Sequence, residues 1–172
     1  DGDADRCIAA SGSGKVLDGD FMLLYCGRAL QRAGNLPGRT VVATVMSNIG
    51  LEIALRERGV EMVRCPVGDK YVMEEMLKRG LALGGEQSGH VIFASHLFTG
   101  DGIATALHVL RAMIATGHEL ATLAATLTIY PQVLVNVRVR ERTDISQVPA
   151  VAAAMREVEA RLEGHGRLLV RY

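Results

Sequence analysis

The sequence predicts an α/β protein: a layered, mixed-sheet domain followed by the beginning of a smaller α+β domain. Three observations lead there. Short β-rich runs alternate with helical stretches between residues 20 and 127. Near Tyr130-Pro131 that alternation stops, and a strand, a helix and a strand follow. Apolar residues make up 49% and charged residues 22% of the 172 positions, a globular balance in a chain long enough to bury a core.

The elements can be justified in order. Ser11-Gly12-Ser13-Gly14 reads as a flexible turn. From Asp20 to Ala33 apolar residues recur at helical spacing (Phe21, Leu24, Tyr25, Ala29, Leu30), with Asp18 or Asp20 as the cap and Gly34 as the stop. Residues 40–45 form a β-rich run, residues 48–58 a helix closed by Gly59, and residues 60–64 another strand. A helix over 69–79 is expected to be capped by Asp69 and ended by Gly80. Leu81–Leu83 and Val91–Phe93 read as short strands around a Gly-rich turn. Asp101 to Thr116 is a strongly apolar helix ending at Gly117, and a further short helix runs to about Leu127. Beyond the boundary, placed near residue 129, Val133–Val139 reads as a long strand, Val148–Leu162 as an Ala-rich amphipathic helix and Leu168–Arg171 as a returning strand.

Composition narrows the function classes. The formal net charge is zero, so neither nucleic acid nor an anionic membrane surface is an expected partner. No apolar run reaches transmembrane length, and the acidic opening is the opposite of a signal peptide, so a cytoplasmic protein is expected. Cys7, Cys26 and Cys65 are widely spaced and odd in number; they read as reduced, packed thiols rather than disulfides or zinc ligands. The chain lacks an initiator Met, opens on a carboxylate motif and closes on a strand, as expected of a piece of a longer protein.

Two motifs carry chemistry. The first is Asp1-Gly2-Asp3-Ala4-Asp5-Arg6. Three carboxylates at alternate positions converge on one hard cation if the backbone curls, and magnesium takes such oxygen ligands. An EF-hand loop also begins this way, but it needs Gly sixth and Glu twelfth, where this chain has Arg6 and Gly12. Arg6 instead suits a fixed cation beside a metal, as phosphoryl transfer uses. Ser11-Gly12-Ser13-Gly14-Lys15 is no P-loop, because Ala9 and Val16 stand where Gly and Ser or Thr are needed. The second motif is Gly84-Gly85-Glu86-Gln87-Ser88-Gly89-His90. Glu86 and Ser88 offer a carboxylate and a hydroxyl suited to vicinal sugar hydroxyls. His90 is a candidate phosphate donor or proton shuttle.

Together these motifs resemble the α-D-phosphohexomutase superfamily. Asp1–Arg6 is similar to its metal loop, and Gly85–His90 to its sugar-binding loop, in the form typical of phosphoglucosamine mutases. Ser47–Glu52, Val67–Val72, Thr99–Gly102 and Tyr130–Val137 agree with the family as well, so the likeness covers nearly the whole chain.

The resemblance implies four domains around a cleft. Residues 1–16 would be the end of domain two, 17–128 domain three and 129–172 the start of domain four. It implies conversion of glucosamine 6-phosphate to glucosamine 1-phosphate through a phosphoserine and a bisphosphorylated sugar. It implies Mg2+ held by Asp1, Asp3 and Asp5, charge neutralisation by Arg6, sugar contacts from Glu86 and Ser88, and phosphate contact or acid–base work by Lys70 and His90. A sugar 1,6-bisphosphate would serve as activator and intermediate, a phosphosugar is the implied partner, and there is room for a homodimer of the full-length protein. The family's Ala-Ser-His-Asn-Pro serine motif and Ser-Gly-Thr-Glu-Pro phosphate clamp do not occur here; Ser95-His96 continues as Leu97-Phe98. These 172 residues alone are therefore expected to be inactive. The alternatives are a phosphomannomutase/phosphoglucomutase, with Gln87 the residue favouring glucosamine, and a non-catalytic sugar-phosphate or metal-binding module.

Overall fold

A computed structural model describes residues 2–142, 144–162 and 166–171. These residues divide into two units, one up to Tyr130 and one from Pro131 onward.

The first unit begins with a small antiparallel pair, β1 (Ala9–Ala10) and β2 (Val16–Leu17), closed by the Ser11–Lys15 turn. Helix α1 (Gly19–Arg32) follows. Asp18 is its cap, accepting a hydrogen bond from the Asp20 N–H at 3.1 Å. Phe21, Met22, Leu23, Leu24 and Tyr25 are all buried, so the first half of α1 is covered on every side and lies in the core rather than on the surface.

The sheet is built from β3 (Thr40–Thr44), β4 (Glu61–Cys65), β5 (Leu83–Gly85) and β6 (Val91–Phe93), in the spatial order β4-β3-β5-β6. β3 pairs in parallel with β4 and β5, while β5 and β6 form an antiparallel hairpin. Every residue of β3 is buried, as a central strand covered on both faces requires. The strand period then sorts the core into two layers. Val41, Ala43, Leu83, Val91 and Phe93 join α1, α2 (Ile49–Arg56), α4 (Gly102–Thr116) and α5 (Leu120–Ala124) on one face. Val42 and Ile92 point the other way, onto Val72 and Met76 of α3 (Asp69–Arg79). The result is helices on both faces of a mixed sheet.

Two details differ from the sequence reading. β5 begins two residues later than expected and runs into the Gly pair, with Val42 opposite Gly84 and Ala43 opposite Gly85. A Cβ on Gly84 would stand 2.6 Å from the Met76 sulfur and 2.7 Å from Val72. The glycine there marks close helix-on-strand packing, not a turn. Asp69 is not the cap of α3: Gly68 holds that position at φ 130, and the Asp69 carboxylate accepts the N–H of Lys70.

The cysteines are free. Cys26 and Cys65 are buried, which raises their thiols to about 12 and about 11, the latter helped by the charges of Glu75 and Glu86. Such thiols are protonated and inert at neutral pH.

Asp20 is fully buried in the first turn of α1 and accepts the Asn48 N–H at 2.8 Å. The Asn48 side chain caps α2 through the Gly50 N–H and exchanges two hydrogen bonds with the backbone of Tyr130, at 2.8 and 3.0 Å. Burial raises the Asp20 carboxyl from 3.8 to about 6, with the bonds from Asn48 and Ser47 opposing and the Asp18 charge adding to the rise. A raised folded-state value favours the protonated, folded form. The contribution is complete below about pH 4 and is lost as pH rises through about 6, a change on the order of 3 kcal/mol. The unfolding free energy of the wild type relative to Asp20→Asn should therefore fall between pH 4 and 7 and level off above. Urea titrations at both pH values check this, and a difference that rises with pH would contradict it.

The second unit contains a short 3-10 turn at Ile145–Gln147 and α6 (Pro149–Leu162), matching the expected helix. The strands expected at Val133–Val139 and Leu168–Arg171 are not strands in the structure: neither forms a ladder among the described residues, and Val133, Leu134, Val135 and Val137 are exposed. Alternating residues supply the pleat, but a strand exists only once a neighbour takes up its backbone groups.

Candidate active site

The acidic loop is curled, and Ala4 supplies the bend. Its φ of 56 is unusual for a residue with a side chain and lies between the two described carboxylates, Asp3 and Asp5. The Ala4 carbonyl is held by the N–H of Gly102 at 2.9 Å, at the start of α4. The carboxyl of Asp3 consequently comes within hydrogen-bonding reach of Asp5. Asp1 lies outside the described residues.

The same loop is stitched to Glu86–His90. Arg6 and His90 form an antiparallel bridge, and the Cys7 N–H donates to the Gly89 carbonyl at 3.0 Å. Below the backbone contacts, His90 is nearly fully buried with both ring nitrogens engaged. Nδ1 lies 2.9 Å from Asp5 Oδ2, and Nε2 accepts the Gly100 N–H at 3.0 Å. A backbone N–H only donates, so in this arrangement Nε2 is the bare nitrogen and Nδ1 carries the proton toward Asp5. The sequence makes His90 a candidate for phosphate contact or proton transfer; in the structure its ring lies between Asp5 and the Gly100 N–H.

Burial alone would raise the Asp5 carboxyl, but the hydrogen bond and charge of His90, followed by Arg6 and Asp3, outweigh it and hold the group below the ordinary carboxylate range. The other oxygen, Asp5 Oδ1, is shielded from solvent and accepts no hydrogen bond; the Arg6 Nε stands 3.5 Å away.

Glu86 and Ser88 sit together at the turn between β5 and β6. Glu86 Oε1 accepts the Gly68 N–H at 3.0 Å, which ties the turn to the start of α3, and the Ser88 hydroxyl donates to Oε2 at 3.4 Å. Ser88 is exposed and Glu86 half-buried, so both can still meet a ligand. The turn is held from below by Gly19, whose N–H donates to the Gln87 carbonyl at 2.9 Å, and by a bond between the Asp18 and Gln87 side chains. Lys70 stands apart. Its ammonium is exposed and lies 3.8 Å from Glu74.

The structure thus brings Asp3, Asp5, Arg6, Glu86, Ser88 and His90 into one region. Gly68, Gly100 and Gln87 join them through backbone groups, which residue type does not disclose. Gln87 lies inside the second motif, whereas only the agreement of Val67–Val72 and Thr99–Gly102 with a family pattern marked the neighbourhoods of Gly68 and Gly100. Among the described residues no three His, Cys, Asp or Glu side chains group closely enough to hold a metal. Two do converge, Asp3 and Asp5, and both offer hard oxygen. Asp5 Oδ1 accepts no hydrogen bond, although the Arg6 Nε stands 3.5 Å away, and the Asp3 carboxyl is close by; magnesium takes one or two such carboxylates together with oxygens from other sources, and these residues fit that part of its shell.

Such a fold, with a curled acidic loop bonded to a Glu-x-Ser turn, defines a class. The chain belongs to the phosphoglucomutase/phosphomannomutase family, whose alpha/beta/alpha domain III matches residues 18–130. Over its length it is similar to a phosphoglucosamine mutase of Solibacter usitatus, 58% identical over 172 residues, covering 100% of this chain and 39% of that protein. A phosphoglucosamine mutase of Desulforudis audaxviator is 53% identical over 171 residues, 99% of this chain and 38% of that protein. Among solved structures, a phosphoglucomutase/phosphomannomutase family protein from Burkholderia thailandensis matches with TM-score 0.63 and 27% identity over 73% of this chain and 27% of that one. An N-acetylphosphoglucosamine mutase from Aspergillus fumigatus shares the fold, with TM-score 0.71 and 21% identity over 94% of this chain and 43% of its own. The chain spans about two fifths of the length of the curated relatives it matches. Among the described residues no helix is long and apolar enough to cross a membrane.

Proposed function

We propose that the full-length protein carrying this chain is a cytoplasmic phosphoglucosamine mutase, which interconverts glucosamine 6-phosphate and glucosamine 1-phosphate. The observation that carries this reading is the Asp5–His90 bond, because it fastens the acidic loop to the Glu86–Ser88 turn. One phosphosugar can then meet a phosphoryl-handling group and a hydroxyl-gripping group at once.

In this reading Asp3 and Asp5, with Asp1, would hold Mg2+, and the phosphoserine is contributed from outside these 172 residues. The ion, when bound, supplies positive charge to the phosphoryl oxygens. The serine–phosphorus bond breaks as a sugar hydroxyl oxygen attacks phosphorus, and the proton lost by that hydroxyl balances the one taken up by the departing serine oxygen. The sugar 1,6-bisphosphate reorients, and its other phosphoryl group returns to the serine. Positioning and charge neutralisation carry most of such a reaction. Arg6 neutralises charge on the moving group. Glu86 accepts from sugar hydroxyls and Ser88 donates or accepts, so the same pair grips either orientation of the ring. Lys70, exposed at the start of α3, is assigned a phosphate contact. A homodimer is the proposed assembly. The Aspergillus fumigatus enzyme has been solved with GlcNAc-6P and magnesium, and a variant of it with glucose 1,6-bisphosphate, which supports these ligand classes.

The test is sugar preference in the full-length protein. With magnesium and a trace of sugar bisphosphate, kcat/KM for glucosamine 1-phosphate should exceed that for mannose 1-phosphate and glucose 1-phosphate by about two orders of magnitude, or about 2.7 kcal/mol of transition-state binding. A preference for mannose or glucose would make the protein a phosphomannomutase/phosphoglucomutase with the same site.

A further inference from the structure

His90 has no nitrogen left for a substrate. Nδ1 is bonded to Asp5 Oδ2 and Nε2 to the Gly100 N–H, and the ring is nearly fully buried. The ring also packs directly on Gly100, where an added Cβ would lie 2.6 Å from it. The backbone N–H of Gly100 selects the tautomer, and the tautomer directs a donor at one oxygen of Asp5. The other oxygen, Oδ1, is left without a hydrogen bond.

We propose that His90 is a positioning residue for the acidic loop: the relay from the Gly100 N–H through the imidazole to Asp5 Oδ2 fixes that carboxylate with Oδ1 presented to the metal. This rests on the reading of Asp3 and Asp5 as magnesium ligands. A carboxylate free to rotate must be ordered when the ion binds; one already held by its second oxygen need not be. Holding Asp5 in place is a different task from acid–base work, in which the ring would exchange a proton with the substrate.

Side-chain geometry separates the roles. Asn places an amide N–H near the position of Nδ1 and keeps the bond to Asp5. Gln reaches instead toward the position of Nε2 and keeps the partner of Gly100. With Mn2+ as the probe, its Kd would be measured by electron paramagnetic resonance on the full-length wild type and on His90→Asn, His90→Gln, His90→Ala and Asp5→Asn. His90→Gln, His90→Ala and Asp5→Asn should each weaken binding about 10–100-fold, while His90→Asn stays close to the wild type. Long-range ¹H–¹⁵N correlation on the metal-free wild type should show the Nδ1–H tautomer, a signature that depends on no variant folding. Wild-type affinity in both His90→Ala and His90→Gln, with loss in Asp5→Asn, would overturn the positioning role and leave the metal reading standing. Undiminished affinity in Asp5→Asn would overturn both. A loss in His90→Asn equal to that in His90→Ala, or an Nε2–H tautomer in the wild type, would also overturn the relay.

Discussion

Asp5→Asn in the full-length protein should lower kcat by about 10²–10³-fold while leaving KM for the phosphosugar nearly unchanged, the scale expected when a preorganised electrostatic group is lost. Asn is close to Asp in shape and still offers an oxygen to the His90 Nδ1–H, so the fold should persist. What disappears is the negative charge, which the surroundings maintain against burial through His90, Arg6 and Asp3. Asp5 is not assigned to the sugar hydroxyls, and so ground-state binding of the sugar should be spared. Steady-state kinetics with excess magnesium check this. A change confined to KM, or a kcat within a factor of a few of the wild type, would remove Asp5 from the phosphoryl-handling machinery.

Gly19→Ala should be among the most disruptive small substitutions in the chain. An added Cβ would stand 1.8 Å from the Glu86 carbonyl oxygen and 2.8 Å from the Gly89 nitrogen. Both are backbone atoms, so no rotamer change relieves the overlap. Either α1 shifts, carrying Phe21 to Tyr25 with it, or the Glu86–Gly89 turn moves off its seat. Overpacking of this kind costs about 1–3 kcal/mol, and the absence of a soft neighbour places it at the upper end. Because the displaced carbonyl belongs to the sugar-gripping turn, KM should rise along with the loss of stability. Denaturant unfolding and kcat/KM on the same preparation check both effects. A stable variant with normal KM would show that α1 does not support that turn.

The first unit was legible because its signals are local and agree with one another. The run Phe21–Tyr25, the cap at Asp18, the helix start at Asn48 and the stops at Gly34, Gly59, Gly80 and Gly117 each mark one end or one face of an element. Where tertiary packing decides, the sequence is silent: Gly84 and Gly85 lie in a strand, with α3 packed directly on Gly84 and the His90–Val91 backbone close against Gly85, and Asp69 is inside its helix because Gly68 can adopt a φ of 130. Val133–Val139 has the composition of a strand without the neighbour that would make it one. The candidate site divides in the same manner. Asp3, Asp5, Glu86 and Ser88 are recognisable by chemistry and spacing. Their mutual approach depends on the Arg6–His90 bridge, on the backbone of Gly100 and Gly102 and on the bend at Ala4, none of which has a signature in residue type. The state of His90 was the least accessible, since a histidine beside a polar turn looks the same whether its nitrogens are open or occupied.

The central claim is that the acidic loop and the Glu86–His90 turn are two sides of one cation-and-sugar site. Titration of the ¹⁵N-labelled chain with Mn2+ tests it most directly, because paramagnetic broadening reports proximity to the ion without requiring turnover. Amide signals of Asp3–Cys7, Glu86–His90 and Gly100–Gly102 should broaden together, ahead of the rest of the chain. Broadening centred on the acidic face of α3, at Glu74 and Glu75, with Glu86–His90 remaining sharp, would contradict the account.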